Sequence, residues 1–401
     1  MGLRRRDGRD ARRRKRSAVD GVHGLSGPAT TQARADAGAA PVDIGRLSDL
    51  LRERAHGYFD GFREGHVSVA LVQHRERRNS TIYRFELSAG GTHRRVLVKV
   101  APSGALARTP RPRATPEVPP AEAVALYYEA LALTHAHFVR LGDPRFGAVP
   151  ALDFISEIDA VVMGEAEGEQ LWKLFARTSR FRRSASSELD DILRNAGAWL
   201  REFHALEPDR PLARIHDGYQ GFLDLVTALT EFLGGSLGER SYFDGVATRT
   251  RSLAEGILGE PPPLGLHFGD YGLTNVLVAP NARVTAIDTL ANWYTPIYVD
   301  VAYFLTGIKT YRRQIATQGF AFDRERLARF ERAFLAGYFG ATPAPTREIR
   351  LYEVVRLLER WSGRFARNAR RSRASRTLSL AVVNRFLRRT LDDLLRELES
   401  S

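Results

Sequence analysis

The chain has 401 residues, 43% of them hydrophobic, with 13 Tyr and 21 Phe, enough to fill the core of one two-lobed enzyme or of two domains. It has no cysteine, which excludes disulfides and thiolate chemistry, and no apolar run of 18 residues, so a membrane-spanning helix is not expected. The formal charge of +13 sits at the ends: residues 1–40 hold ten Lys and Arg against four Asp, residues 347–401 hold fourteen Arg against seven acids, and residues 41–346 are neutral.

Residues 1–42 are rich in Arg, Ala and Gly without apolar periodicity and read as a disordered basic arm. The run Arg4 to Arg16 is not followed by the apolar stretch of a secretory signal, so a soluble, cytoplasmic protein is expected. Asp43 reads as the N-cap of a helix carrying Ile44, Leu47, Leu50 and Leu51. From Val67 to Val100 the period changes to that of strands: Val67, Val69 and Leu71, then Ile82, Phe85 and Leu87, then Val96 to Val100 after a Gly90-Gly91 turn. The Pro- and Arg-rich residues 101–120 read as a surface loop, Ala121 to Leu141 as a helix ending at Gly142, and Ala151 to Met163 as a strand pair.

Beyond that pair the pattern is helical, broken by one hairpin in which Val276 to Val278 and Val284 to Ile287 flank Pro280-Asn281. Strands first and helices later predict an α+β protein of two lobes, residues 43–164 and 165–401.

Polar residues bracket that hairpin. Asp270 and Asn275, four residues apart between them, precede it, and Asp288 follows it. Phosphate chains travel with hard cations that prefer oxygen ligands, which suits one carboxylate and one amide oxygen, while a second carboxylate is needed to orient an attacking hydroxyl. Lysine is scarce here, with Lys15, Lys99, Lys173 and Lys309 the four present, so Lys99 inside the apolar strand Val96 to Val100 also asks for an explanation.

The segment Gly269-Asp270, Asn275, Val276 to Val278 and Ile287-Asp288 resembles the catalytic segment of the aminoglycoside phosphotransferase and choline kinase-like families, whose fold is protein-kinase-like. The resemblance runs from about Val67 to Lys309 and departs at Phe268, where the family has His, and at Thr289-Leu290, where it has Phe-Gly. It implies an ATP-dependent transfer of phosphate to a small-molecule hydroxyl with Mg²⁺, Asp270 as base, and Asn275 and Asp288 as metal ligands.

By the same resemblance Lys99 holds the α- and β-phosphates and pairs with Glu129 of the following helix, with Glu122 as the rival. Asn79 and Ser80, aided by an arginine, cover the phosphates in place of a glycine-rich turn, and Met163 to Glu165 form the hinge against the adenine. Asp300 braces the catalytic loop and caps its own helix, and His204 is structural. The cleft wall, residues 208–262 and the last helices, lacks the acidic bias that a polycationic acceptor requires, and the tail from Arg364 to Arg376 favours an anionic or neutral partner, so a sugar, a sugar derivative or another metabolite hydroxyl is expected, with an aminoglycoside-like acceptor as the lesser alternative. A different class of reading, a nucleotide-binding pseudokinase or adaptor, would use the Arg-rich ends to bind nucleic acid or an anionic membrane. The apolar face Leu380, Val383, Phe386, Leu387 and Leu391 of the last helix is expected to dock on the large lobe.

Overall fold

A computed structural model describes residues 42–400 except 63–65, 78–79, 102–110, 114, 117, 119, 179–185, 217 and 369–372. The expected basic arm therefore lies outside the described residues, apart from Val42. Asp43 caps α1 (Ile44–Arg54), its carboxylate accepting the Gly45 amide at 2.8 Å, and Leu47 and Leu51 turn inward. The alternating segments form β1 (Ser68–Arg77), β2 (Ser80–Ala89) and β3 (Thr92–Val100), the last two joined through Gly90 and Gly91 at positive φ. Then come α2 (Pro120–Leu141), closed by left-handed Gly142, and β4 (Phe146–Gly147), β5 (Ala151–Ile155) and β6 (Ala160–Gly164).

An antiparallel sheet in the order β1-β2-β3-β6-β5 has two faces with different work. Tyr83, Phe85, Leu87, Val96 and Val98 pack with Leu47 and Leu51 of α1 on one side. Leu97, Val161 and Met163 meet Val124, Tyr127 and Leu131 of α2 on the other.

The second lobe contains β7 (Glu169–Gln170), α3 (Leu171–Arg177), α4 (Ser186–His204), β8 (Ala213–Arg214), α5 (Tyr219–Leu237), α6 (Arg240–Ile257) and β9 (Leu264–Leu266). The hairpin β10 (Val276–Ala279) and β11 (Arg283–Ala286) follows, turning through left-handed Asn281 and Ala282. It is succeeded by β12 (Trp293–Pro296), α7 (Tyr298–Lys309), α8 (Arg312–Ala316), α9 (Arg324–Phe339), α10 (Thr346–Asn368) and α11 (Arg373–Ser400). The strands β4, β7, β8, β9 and β12 are two to four residues long, too short to show a period in the sequence.

The core of this lobe centres on Trp199, which stacks on Phe138 at 4.6 Å, on Phe203 at 5.7 Å and on Tyr271 at 5.8 Å between ring centroids. On α11, Val383, Phe386, Leu387 and Leu391 are buried in the same core, as expected of that helix. Among the described residues no helix is long and apolar enough to cross a membrane.

Candidate active site

The segment 267–275 connects β9 to β10 and is held from beneath by Asp300. This carboxylate, 1% exposed, accepts the amides of Phe268 at 2.7 Å and Gly269 at 3.0 Å, and its Oδ2 lies 3.3 Å from both His204 Nε2 and His267 Nδ1. Burial opposes its ionisation, but the charges and hydrogen bonds of His267 and His204 hold its carboxyl well below the ordinary 3.8. The bracing role read for Asp300 is present, and so is the structural role of His204, whose Nδ1 meets the Tyr338 hydroxyl at 2.6 Å. The capping role needs correction. The helix α7 starts at Tyr298 after Ile297, so Asp300 already lies inside it and serves the amides of another loop rather than those of its own first turn.

The departure at Phe268 has a physical reading. Its ring packs edge-on against Phe203, Tyr271 and Trp199 in the core, while the preceding His267 takes up the polar contact with Asp300. Gly269 then turns at φ +92, where a Cβ would meet Leu290 Cδ1 at 2.6 Å, and Asp270 emerges at the protein surface. Its carboxylate accepts a hydrogen bond from the Tyr303 hydroxyl, and its carbonyl accepts Asn275 Nδ2 at 3.0 Å. Surrounding protein atoms and the charge of Asp288 raise the Asp270 carboxyl above 3.8, against the opposing hydrogen bonds of Tyr303 and Asn275. Tyr303, absent from the sequence reading, sits on α7 three residues after Asp300, and an aromatic at helical spacing gives no signal of its own.

At the end of the hairpin Asp288 adopts left-handed backbone, φ 63, uncommon for a residue with a side chain and concentrated at functional positions. Its Oδ1 receives Lys99 Nζ at 2.9 Å. Lys99 does not pair with Glu129. That side chain is half exposed and bonds Arg210 at 2.9 Å. The helical face of α2 that meets the sheet is Val124, Tyr127 and Leu131, and two residues of helix turn Glu129 about 200° away from Tyr127. Glu122 is exposed as well. In place of a carboxylate, the Tyr127 ring receives the ammonium, 3.6 Å from its centroid.

Lys99, Asn275 and Asp288 line one cavity of about 240 Å³ between the sheet and the hairpin, together with Met163 and Glu165. Ile82 and Leu97 from the sheet and Leu277 and Ile287 from the hairpin give it apolar walls, and Arg84 pairs with Glu165 at 2.7 Å at its edge. Of the pair read as the phosphate cover, Asn79 lies outside the described residues. Ser80 is buried at the start of β2 and does not line the cavity. Gln73 and Arg75 line it instead. Val69 and Leu71 oppose Leu87 and Phe85 on the α1 side of the sheet, but the register shifts between Leu71 and Gln73, and beyond that bulge Gln73 and Arg75 oppose Arg84 and Ile82 on the cavity side. One inserted residue, exposed Val72, thereby aims an arginine at the cavity.

Among the described residues no group of three His, Asp or Glu side chains could hold a metal by itself. The donor set present is one carboxylate, Asp288, and one amide, Asn275, whose nitrogen is committed to the Asp270 carbonyl so that its oxygen is the atom left to ligate. Two hard oxygen donors suit a Mg²⁺ that takes its remaining ligands from phosphates and water.

No family model and no curated protein matches the chain. Among solved structures, the ethanolamine kinase of Plasmodium vivax aligns over 90% of this chain and 92% of its own at 8% identity, with a TM-score of 0.54. The chain has a protein-kinase-like fold. A spectinomycin phosphotransferase in complex with ADP and spectinomycin aligns over 90% of this chain and all of its own at 12% identity and TM-score 0.49. A choline kinase from Streptococcus pneumoniae aligns over 85% and 99% at 12% identity and TM-score 0.46.

Proposed function

We propose that this chain is an ATP-dependent phosphotransferase that moves the γ-phosphate of ATP to a hydroxyl of a small molecule. The observation that carries the reading is convergence: Lys99, Asn275 and Asp288, distant in sequence, line one cavity between the lobes, and Asp270 adjoins it through its bond to Asn275. Ile82, Leu97, Leu277 and Ile287 would sandwich the base beside Met163 and Glu165, with Arg75 above the phosphates. Mg²⁺, held by Asn275 and Asp288, would neutralise charge on the phosphate chain.

Lys99 would leave Asp288 for a phosphate oxygen, guided by the Tyr127 ring it already faces. Tyr303 occupies one oxygen of Asp270 and leaves the other to accept the acceptor's proton as its oxygen attacks the γ-phosphorus and ADP departs. The ethanolamine kinase that shares this fold supports the reaction class.

The test is release of ADP from Mg²⁺·ATP by purified protein offered a panel of sugars, sugar phosphates, hydroxy acids, amino alcohols and aminoglycosides. The parent is expected to turn over at least one acceptor, and Asp270→Ala to lose about 10²-fold or more of kcat with its circular dichroism spectrum unchanged. Near-parental turnover by Asp270→Ala refutes the assignment of the base.

A further inference from the structure

The arginines of the C-terminal region are not all solvated. Arg356 and Arg360 lie one turn apart on α10 and so share a face, with Arg364 next in the row. Arg356 is 5% exposed. Its Nε donates to the Val299 carbonyl at 3.2 Å, its Nη1 pairs with Glu359, and its Cζ lies 5.4 Å from the centroid of the Tyr303 ring. Tyr303 in turn donates to the carboxylate of Asp270, so this face of α10 stands behind the candidate base.

One nitrogen on each guanidinium, Nη2 of Arg356 and Nε of Arg360, is buried without a hydrogen-bond partner. A buried charged donor left without a hydrogen bond is costly, and the fold keeps two of them four residues apart on α10. Neither arginine nor Tyr303 lines the cavity that holds Lys99, Asn275 and Asp288. Arg356 faces the Tyr303 ring, and the charge of Arg360 acts on both Tyr303 and Asp270. The Arg360 charge is also near enough to Asp270 to favour its ionised form.

We propose that the acceptor is an anionic alcohol, a hydroxy compound bearing a phosphate or a carboxylate, whose anion is bound by Arg360 and by Nη2 of Arg356 while its hydroxyl faces Asp270. This inference rests on the phosphotransferase reading above. An ammonium group at the same place would meet guanidinium charge and be disfavoured.

Inorganic phosphate and acetate serve as probes, titrated by calorimetry into the full chain with and without saturating Mg²⁺·AMP-PNP. Phosphate or acetate is expected to bind with the nucleotide present, and Arg360→Met to weaken it about 10- to 100-fold, with the Kd for Mg²⁺·AMP-PNP unchanged. Arg360→Lys, which keeps the positive charge, should recover part of the affinity. The tighter of the two probes identifies the acceptor as a phosphate ester or a carboxylate. Anion binding that is absent, or indifferent to Arg360→Met, overturns the proposal, as does turnover that prefers a cationic amino alcohol over every anionic acceptor. A parent that binds phosphate through Arg360 but not Mg²⁺·AMP-PNP keeps the anion site and removes the phosphotransferase reading. The opposite pattern keeps the phosphotransferase and removes the anion site.

Discussion

Lys99 shows how one substitution of interaction type is accommodated at the level of single residues. A carboxylate partner on α2 would neutralise it, whereas the Tyr127 ring orients the ammonium without cancelling its charge and leaves Asp288 as its anionic contact. Tyr127→Leu is therefore expected to weaken Mg²⁺·ATP binding about 3- to 30-fold, as loss of a desolvated cation–π contact implies, while Glu129→Gln leaves it unchanged. Measured affinities in the reverse order would restore Glu129 as the partner. The sequence held a signal for this: Val124, Tyr127 and Leu131 are the apolar stripe of α2, and a residue meant to reach Lys99 belongs on that stripe. By contrast, the position of Tyr303 beside Asp270 and the burial of Arg356 and of the Arg360 Nε depend on how α7 and α10 pack, which no local pattern records.

At the scale of elements, periodicity disclosed what was long and regular. The meander β1 to β3, helix α2 and the hairpin β10–β11 follow from period and turn chemistry, and with them Asp270, Asn275 and Asp288 fall at fixed places around one hairpin. The bulge at Val72 was not legible, because alternation continued past Leu71 would put Gln73 and Arg75 on the wrong face. Helix pairing was equally hidden. Gly197 of α4 and Gly337 of α9 let the two backbones approach so closely that a Cβ on either would collide with a carbonyl oxygen, that of Phe334 or of Arg194. Backbone cannot yield as a flexible side chain does, so Gly337→Ala is expected to cost about 1–3 kcal/mol in denaturant unfolding. Stability equal to the parent would mean that this crossing is loose.

Over the whole molecule, Asp300 ties together elements far apart in sequence: His204 on α4, the loop after β9, and its own α7. Its carboxyl lies well below 3.8 in the folded state, so its contribution to stability is complete above the ordinary carboxylate value and is lost as pH falls below it. Asp300→Asn, which leaves the buried donors without their anion, should destabilise by about 3–5 kcal/mol near neutral pH. The gap from the parent should hold steady through mildly acidic pH and narrow below about pH 4. A gap that widens on acidification would contradict the ionised, braced state.

The most direct measurement of the central claim, that Lys99, Asn275 and Asp288 form one nucleotide and metal site, is the Mg²⁺ dependence of AMP-PNP affinity. Mg²⁺ is expected to tighten binding to the parent by about tenfold or more, and Asp288→Ala to abolish that gain by removing a ligand and freeing Lys99. An equal gain from Mg²⁺ in parent and variant would place the metal elsewhere and contradict the account.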